Sequence, residues 1–185
     1  MSYVFEPSTL HEITGKALGL PRQAMFDAVR EGLEEAYPGH VHRGGDWQIT
    51  AAGGAQGVVN LIHASVTEYL LFFGSPAPTS GHSGRHRCEV HQFILDGEVW
   101  CYDEGDLERR ELKPGDATTL RPSTARGYCV NDRVWMLEYG RGPIPLMFPF
   151  ALAGPMFVTL DARGLARSLL RYGSLTARSL LRGKI

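Results

Sequence analysis

Apolar side chains in the first 45 residues recur at helical spacing. Met25, Val29 and Leu33 stand four residues apart, and glutamates occupy neighbouring positions. This spacing puts the apolar side chains on one face of a helix, which is buried while the charged face stays in water. The preceding stretch, PSTLHEITGKALGL, predicts another helix with Ser8 or Thr9 as its N-terminal cap. The chain is therefore expected to open with a pair of helices.

The pattern changes at Trp47 to short segments of β-branched and aromatic residues separated by glycine and proline. The segments read WQIT, VVNLIHASVTEYLLFFGS, CEVHQFILDGEVWCY, RRELKPGDATTLRP, ARGYCVN and RVWMLEYG. Such segments, bounded by turn residues, are typical of antiparallel strands. Their spacing favours a sandwich or a small barrel over a parallel sheet with crossover helices. The predicted fold class is mainly β with flanking helices.

Helical spacing returns after GRGPIPLMFPF, in the run ALAGPMFVTLDARGLARSLLRYGSLTARSLLRGKI. Leucines and Tyr172 alternate there with five arginines, and no acidic residue follows Asp161. A basic amphipathic stretch of this kind is either a helix packed on the protein body or a helix lying in a membrane interface. Spacing alone leaves both alternatives open.

Charge and composition exclude one class of partner. The 185 residues carry 19 Lys and Arg against 20 Asp and Glu, a formal net charge of -1. A balanced chain has no general attraction to nucleic acid, so no nucleic-acid partner is predicted. The hydrophobic fraction of 43% suffices for the core of one domain.

The three cysteines, Cys88, Cys101 and Cys129, form no CxxC pair. An odd count without that spacing argues against a disulfide framework and a thiolate zinc site, so a reducing compartment is expected. No stretch reaches the roughly 18 apolar residues that cross a bilayer, and the first residues lack the apolar run of a signal sequence. We therefore expect no transmembrane helix.

The stretch HSGRHRCEVHQFILDGEVWCY, residues 82–102, combines histidines and a glutamate with strand-like alternation. His82, His86 and His91 are candidate metal ligands, or else hydrogen-bond partners of backbone and rim groups. Together with ELKPGDATTLRPSTARG, the stretch resembles the two sequence boxes of the cupin superfamily. Metal-binding cupins complete their site with a histidine from the second box, whereas this chain has Arg126 there, a fixed cation. A metal-binding cupin is kept as a minor alternative, and no cofactor is predicted.

Longer motifs carry a more specific resemblance. GHSGR, HASVTEYLLFFG and WMLEYGRGPIPLMFPFAL, with YVFEP, YPGHV and AGGAQG in the same order, are similar to the family that unites fungal sterol Δ8-Δ7 isomerase with the animal sigma non-opioid receptor. The likeness covers nearly the whole chain. We expect no counterpart here of the N-terminal membrane-spanning helix that many members carry.

The resemblance implies a cupin-like β-barrel preceded by helices. Two amphipathic C-terminal helices would lie flat on the membrane and close the mouth of the barrel. A single domain, 1–185, is then expected to consist of N-terminal helices over 1–45, the barrel over 46–150 and membrane-facing helices over 151–185.

Quaternary structure and location are also implied by the resemblance. Receptor-branch members associate as trimers, and Gly53, Gly54 and Gly57 resemble the glycine-rich stretch at that interface. We therefore expect a homotrimer on a membrane surface, without a transmembrane helix. That surface would be the endoplasmic reticulum membrane in a eukaryote and the cytoplasmic face of the membrane in a bacterium.

Glu138 in WMLEYG matches the carboxylate of the family's site. A glutamate among Val134, Trp135 and Leu137 is costly to bury without a partner or a proton. Tyr69 matches the tyrosine whose hydroxyl orients this carboxylate. Because a buried carboxylate stabilises a carbocation or a protonated amine, the resemblance implies sterol-like or cationic amphiphilic ligands.

The other positions matched to the receptor pocket are apolar or aromatic, as expected for the binding of a flat, largely apolar ligand with one polar end. They are Val59, Leu61, Leu71, Phe73, Val90, Val130, Phe148, Ala151 and Tyr172. Glu68 and His63 match polar positions that we expect to tie the N-terminal helices to the barrel.

The chain departs from the family opposite Glu138. The receptor branch has an aspartate where this chain has Gln92, and the fungal isomerases have an acidic residue near Val90. Gln92 can hydrogen-bond Glu138 but cannot exchange a proton. Since side chains alternate along a strand, Glu89 and His91 face away from Val90 and Gln92. Either could supply a second acid-base group only if a β-bulge turned it inward.

Two functions follow from these residues. The first is binding of a sterol-like or cationic amphiphilic molecule in a closed apolar pocket with one buried carboxylate, Glu138. The second is a sterol Δ8-Δ7 isomerase that moves a ring double bond by proton transfer, using Glu138 with Glu89 or His91. Whether the chain is an enzyme stays open between them.

Overall fold

The computed structural model describes residues 3–184. Within them the chain runs through a pair of helices, ten strands and a helical C-terminal region, so the predicted mainly β class with flanking helices is confirmed. Residues 1, 2 and 185 of the predicted domain lie outside this range.

The N-terminal helices form, and the first one begins before its predicted cap. α1 spans Pro7–Lys16 and α2 spans Arg22–Ala36. The cap position of α1 is Glu6, not Ser8 or Thr9. Proline fits the first helical position because its fixed φ suits the helix and no amide is left without a partner.

The apolar face of α2 packs against the sheet. Met25, Val29 and Leu33 are buried as predicted, and Phe26 joins them. The Phe26 ring lies 4.8 Å from that of Phe72, centroid to centroid. The main core therefore lies between this helix and the sheet.

The strands form two antiparallel sheets. The six-stranded sheet has the order β1 (Gln48–Ala52), β2 (Ala55–Ala64), β3 (Glu68–Ser75), β10 (Val134–Arg141), β5 (Glu89–Gly97) and β8 (Ala117–Leu120). The four-stranded sheet has the order β4 (Thr79–His82), β9 (Arg126–Val130), β6 (Val99–Asp103) and β7 (Arg110–Leu112). Only β4 lay outside the predicted strand segments, because its sequence, TSGH, has no bulky apolar residue.

The two sheets are not closed into one barrel, which corrects the predicted closed barrel. Within residues 3–184 no strand ladder joins them. Individual hydrogen bonds connect the two sheets instead. The Gln56 amide donates to the Thr79 hydroxyl (2.8 Å), and Arg126 Nη1 donates to the Thr118 hydroxyl (2.9 Å). The edge strands β4, β7 and β8 have only three or four residues each, too few for a continuous ladder between sheets.

The register of β10 with its neighbours positions the centre of the six-stranded sheet. Glu138 pairs with Gln92 of β5 on one side and with Leu71 of β3 on the other. Pairing with β5 runs without a shift from Glu89 to Gln92. The only irregularity in this ladder falls at Trp135/Met136, so no bulge turns the β5 side chains around the Glu138 position.

The C-terminal region consists of two helical segments. A 3-10 turn (Ile144–Met147), α3 (Phe148–Ala153) and a π turn (Gly154–Val158) follow one another, and α4 (Ala162–Leu181) comes after them. Asp161 caps α4 by accepting the Gly164 amide at 2.8 Å. The Tyr172 hydroxyl and the Ser179 hydroxyl donate to carbonyls at the end of β2 and just after it, which docks α4 on the sheet.

Candidate functional site

A cavity of about 300 Å³ lies between the two sheets. β2, β3, β5 and β10 line one side, and β4, β6 and β9 line the other. Residues of the C-terminal helical segments, among them Phe148 and Tyr172, also belong to the lining. The volume is at the lower end of the range typical of small-molecule sites.

Glu138 is the polar centre of this cavity. The Tyr69 hydroxyl donates to Oε1 of Glu138 at 2.9 Å, and Gln92 Nε2 donates to Oε2 at 2.9 Å. β10 lies between β3 and β5, so one partner comes from each neighbouring strand. Among the described residues that line the cavity, Glu138 is the only Asp or Glu, and none is Lys or Arg.

The surroundings of Glu138 shift its proton equilibrium. Burial raises the pKa of Glu138, and the bonds from Gln92 and Tyr69 oppose that rise only in part. Burial and the adjacent carboxylate raise the pKa of Tyr69, which therefore stays a hydrogen-bond donor. The site can hold a carboxylate beside a cationic ligand or a neutral carboxylic acid without one.

Every residue predicted from the resemblance to contact a ligand lies in the cavity lining. Tyr69, Gln92 and Glu138 form the polar group described above, and the others supply apolar walls. The apolar members are Val59, Leu61, Leu71, Phe73, Val90, Val130, Phe148, Ala151 and Tyr172. Their part in binding stays a prediction.

Glu89 and His91 are not brought into the cavity. His91 stacks on Tyr139, with ring centroids 5.7 Å apart, and Glu89 accepts Arg141 Nε at 2.8 Å. His91 Nε2 and Glu89 Oε1 lie 2.8 Å apart. Because β5 has no bulge here, both side chains point to the face opposite Val90 and Gln92. The inward rotation that a catalytic role would need is therefore not found.

Two of the three candidate metal ligands, His82 and His86, lie at the cavity, whereas His91 does not. His82 and His86 belong to its lining, together with Ser83. The His86 ring bonds the Cys88 carbonyl through Nδ1 at 3.1 Å. Burial lowers the pKa of His86, and this bond opposes the shift only in part. Within residues 3–184 no group of three or more His, Cys, Asp or Glu side chains is arranged to hold a metal ion.

Arg126 of the second cupin-like box is a buried link between strands. Its guanidinium donates to Asp103 of β6 and to Thr118 of β8. Asp103 raises the pKa of Arg126 against the effect of burial, so the cation is retained. This side chain ties the two sheets together and does not line the cavity.

Several residues that line the cavity were not predicted from the sequence. Met136 lies two residues before Glu138 on the same face, and strand alternation could have identified it. Tyr128 and Val99 come from the facing sheet, whose position over Glu138 no local pattern reveals. The residues of β4 were missed together with that strand.

Glu68 and His63 lie outside the cavity, and His63 Nδ1 bonds the carbonyl of His40, after α2, at 2.9 Å. Glu68 is fully buried; it accepts the Val4 amide at 2.9 Å and the Tyr139 hydroxyl at 2.7 Å, and it pairs with Lys184 at 2.7 Å. Burial alone would raise the pKa of Glu68, but Lys184 and the other donors lower it overall. Glu68 therefore ties the start of the chain to the sheet, as expected.

Comparisons with known proteins agree with the order of motifs. A family model described as "ERG2 and Sigma1 receptor like protein" matches residues 1–184. The C-8 sterol isomerase erg2 of Aspergillus fumigatus is 35% identical over 98% of this chain and 78% of its own length. Sigma non-opioid intracellular receptor 1 of Gallus gallus is 35% identical over 92% of this chain and 78% of its own length. An RmlC-like cupin of Shewanella frigidimarina aligns at 16% identity with a TM-score of 0.47, over 56% of this chain and 90% of that one. The chain belongs to the ERG2 and Sigma1 receptor like protein family.

Proposed function

We propose that the chain binds a sterol-like or cationic amphiphilic molecule in the cavity, with Glu138 as the anchor for its polar end. The observation that carries this proposal is the pair of 2.9 Å bonds that hold both carboxylate oxygens of Glu138 within otherwise apolar walls. Relatives named as a sigma receptor and as a sterol isomerase support the same class of ligand.

Physical chemistry favours a cation at this position. A buried carboxylate loses hydration, and two neutral donors restore only part of that loss. A protonated amine of the ligand adds an opposite charge and a charge-assisted hydrogen bond. The ligand's apolar body then contacts side chains such as Leu71, Phe73 and Val130.

Binding is tested by titrating the full chain with a cationic amphiphile and with a neutral molecule of the same size. We expect the cationic molecule to bind more tightly. The Glu138→Gln variant should remove that preference. Equal affinities in the unaltered chain would contradict the proposal.

The second candidate function is sterol Δ8-Δ7 isomerisation, and His86 is the observation that favours it. This reaction adds a proton to one alkene carbon and removes one from a neighbouring position of the resulting carbocation. Glu138 has a raised pKa and can carry a proton, while Gln92 cannot. His86 lines the same cavity with Nδ1 bonded to the Cys88 carbonyl, which leaves its Nε2 as a candidate second proton-exchanging group.

The two functions are separated by incubating the chain with a Δ8 sterol in deuterated water. An isomerase incorporates deuterium at carbon 9 and yields the Δ7 sterol. A binding protein returns the sterol unchanged. If deuterium enters, loss of exchange in His86→Gln but not in His91→Gln would support His86 as the partner of Glu138.

We further propose that the C-terminal helical segments lie on a membrane surface. Exposed apolar residues concentrate there, among them Phe157 (76% exposed), Val158 (79%) and Leu170 (74%). None of the helices within residues 3–184 has the length and apolar character to cross a bilayer. Insertion of such side chains at the level of the headgroups suits a surface-bound helix.

Vesicle sedimentation tests the membrane proposal. Phe157→Asp should release the chain from vesicles, while Leu107→Asp, at a fully exposed leucine of the β6–β7 connection, should not. If both variants sediment equally, the apolar segment is not the contact. If only Phe157→Asp releases the chain, we propose that the surface is the endoplasmic reticulum membrane in a eukaryote and the cytoplasmic face of the membrane in a bacterium.

A homotrimer through the turn between β1 and β2 is also proposed. Gly53 and Gly54 have positive φ angles of 59° and 92°, and a Cβ on Gly53 would overlap the His82 carbonyl. These contacts within the chain already require glycine, so the trimer rests on the resemblance and on the exposure of this turn. Light scattering should give three times the chain mass of 20.4 kDa. Gln56→Arg, at an exposed neighbouring side chain, should reduce the measured mass to that of a single chain.

A further inference from the structure

Three arginines on one side of α4, the arginine stripe, contact the segment that joins α2 to β1. Arg171, Arg178 and Arg182 are spaced by seven and four residues, which puts them on one side of the helix. Arg171 donates to the Gly44 carbonyl, and Arg178 Nη1 lies 3.3 Å from His42 Nδ1. The guanidinium of Arg182 lies beside Gly39. The three arginines therefore follow residues 39–44.

A fourth guanidinium approaches the same segment from α2. Arg30 donates to the His42 carbonyl at 3.1 Å and to Asn60 Oδ1 at 2.9 Å. Within residues 3–184, none of these four arginines has a carboxylate oxygen at ion-pair distance. By contrast, Arg126 and Arg141 each hold one. The cluster therefore carries positive charge that no nearby acid pairs directly.

The acidic groups around this cluster act from a distance. Asp27 raises the pKa of Arg30 and Asp46 raises that of Arg171, in both cases against larger effects of burial. Burial lowers the pKa of His42, and Arg171, Arg178 and Arg30 lower it further. Glu34 accepts the Gly39 amide. The balance at the centre of the cluster favours an incoming anion.

A small recess beside the arginines has room for one atom of that anion. A recess of about 20 Å³ lies under Arg178 and Arg182, enough for one water-sized group. His63 lines it, with 3% of the residue exposed. Its Nδ1 bonds the His40 carbonyl at 2.9 Å, while its buried Nε2 has no partner in the described part of the chain. A buried nitrogen without a partner is costly, so the recess is chemically incomplete.

We propose that this cluster binds a phosphate group, with one oxygen in the recess at His63 and the others held by Arg178 and Arg182, which border the recess. Guanidinium forks match the oxygens of phosphate in geometry and charge. A tetrahedral anion can meet groups on several sides at once, which a planar carboxylate does not. A phosphate hydroxyl can also donate to His63 Nε2, since the second proton of a phosphate monoester titrates near neutral pH.

The phosphate could belong to a lipid headgroup or to a soluble molecule. Leu170 and Leu181 are exposed beside the arginine stripe, at 74% and 89%, which suits a headgroup with its chains along α4. Soluble phosphate offers the same oxygens. Both sources are therefore tested, and neither depends on ligand binding in the cavity.

Soluble phosphate is tested by following the imidazole NMR signals of the full chain during titration with inorganic phosphate. We expect saturable shifts of the His42 and His63 signals. Arg178→Gln should weaken this binding about tenfold because it removes a charge-assisted contact. The matched control is Arg167→Gln, at an exposed arginine of α4 outside the cluster.

The lipid source is tested by sedimentation with phosphatidylcholine vesicles, with and without phosphatidic acid. A headgroup site predicts that phosphatidic acid increases binding in the unaltered chain and in Arg167→Gln, but about tenfold less in Arg178→Gln. A response to inorganic phosphate alone assigns the site to soluble phosphate. If Arg178→Gln and Arg167→Gln behave alike with both probes, the cluster is only a charged surface and the proposal is overturned. Glu138→Gln should bind phosphate normally, which separates this result from a failure of the cavity proposal.

Discussion

Gln92 donates a 2.9 Å hydrogen bond from its Nε2 to Oε2 of Glu138, its directly paired neighbour across β5 and β10. The resemblance to the receptor branch implies an aspartate at this position, where this chain has the neutral donor Gln92. An amide can orient Glu138 and share its negative charge, but it cannot take part in proton transfer. Proton transfer at Glu138 would therefore depend on a group other than Gln92.

Replacing Glu138 by Gln should selectively weaken binding of a cationic ligand. The change keeps the shape and one acceptor oxygen but removes the negative charge, and with it a charge-assisted contact of roughly 1.5 to 3 kcal/mol, about ten- to a hundredfold in affinity. Calorimetric titration with an amine and a neutral analogue measures the difference. Glu89→Gln, on the opposite face of the sheet, is the control that should change neither affinity. Equal loss for both ligands in Glu138→Gln would show that the carboxylate is not the anchor.

Glu138 should also make stability and amine binding respond to pH in opposite directions. Its pKa in the folded chain is raised above the ordinary value of 4.5, so between these two values the folded state holds more protons than the unfolded state. The free energy of unfolding should therefore fall as pH rises above about 4.5 and level off above the folded-state pKa. Amine affinity should increase over that interval because the carboxylate becomes ionised. Urea unfolding of the unaltered chain relative to Glu138→Gln isolates the first effect; a difference that does not vary with pH would refute it.

Changing Gln92 to Asp should place two carboxylates in contact. Without a ligand they would share a proton, because like charges at that distance resist joint ionisation. A bound amine relieves this repulsion, so its affinity should rise above that of the unaltered chain, while stability without amine should fall at neutral pH. Gln92→Asn introduces a side chain of the same length as Asp but without a charge, and it should not strengthen amine binding. Equal amine affinities of the two variants would contradict the electrostatic explanation.

Glu68 should respond to acid with the opposite sign to Glu138. Its folded-state pKa is lowered below 4.5, so its stabilisation is present above that value and is lost as pH falls through the folded-state pKa. Glu68→Gln should cost about 3 kcal/mol at neutral pH because it leaves buried donors and Lys184 without their anion. Thermal unfolding from pH 7 downward checks this, and Tyr139→Phe, which removes one donor to the carboxylate, should cost about 1.5 kcal/mol. A Glu68→Gln variant with unchanged stability at neutral pH would refute the role.

The sequence by itself determined the local order of the fold and much of the site. Alternation along β5 placed Val90 and Gln92 on one face and Glu89 and His91 on the other, since neighbouring side chains of a strand point in opposite directions. The motif around Glu138 identified the carboxylate through the resemblance. Helical spacing likewise identified the buried face of α2.

Only the tertiary structure decided what faces these residues. β10 lies between β3 and β5, so the Glu138 carboxylate receives Tyr69 and Gln92, which are distant in sequence, as donors. β4 carries His82 to the cavity although its four residues show no strand pattern. The arginines of α4 became a cluster only where the helix docks beside His42. Contacts between distant segments depend on strand order and helix docking, which local hydrophobic patterns do not encode.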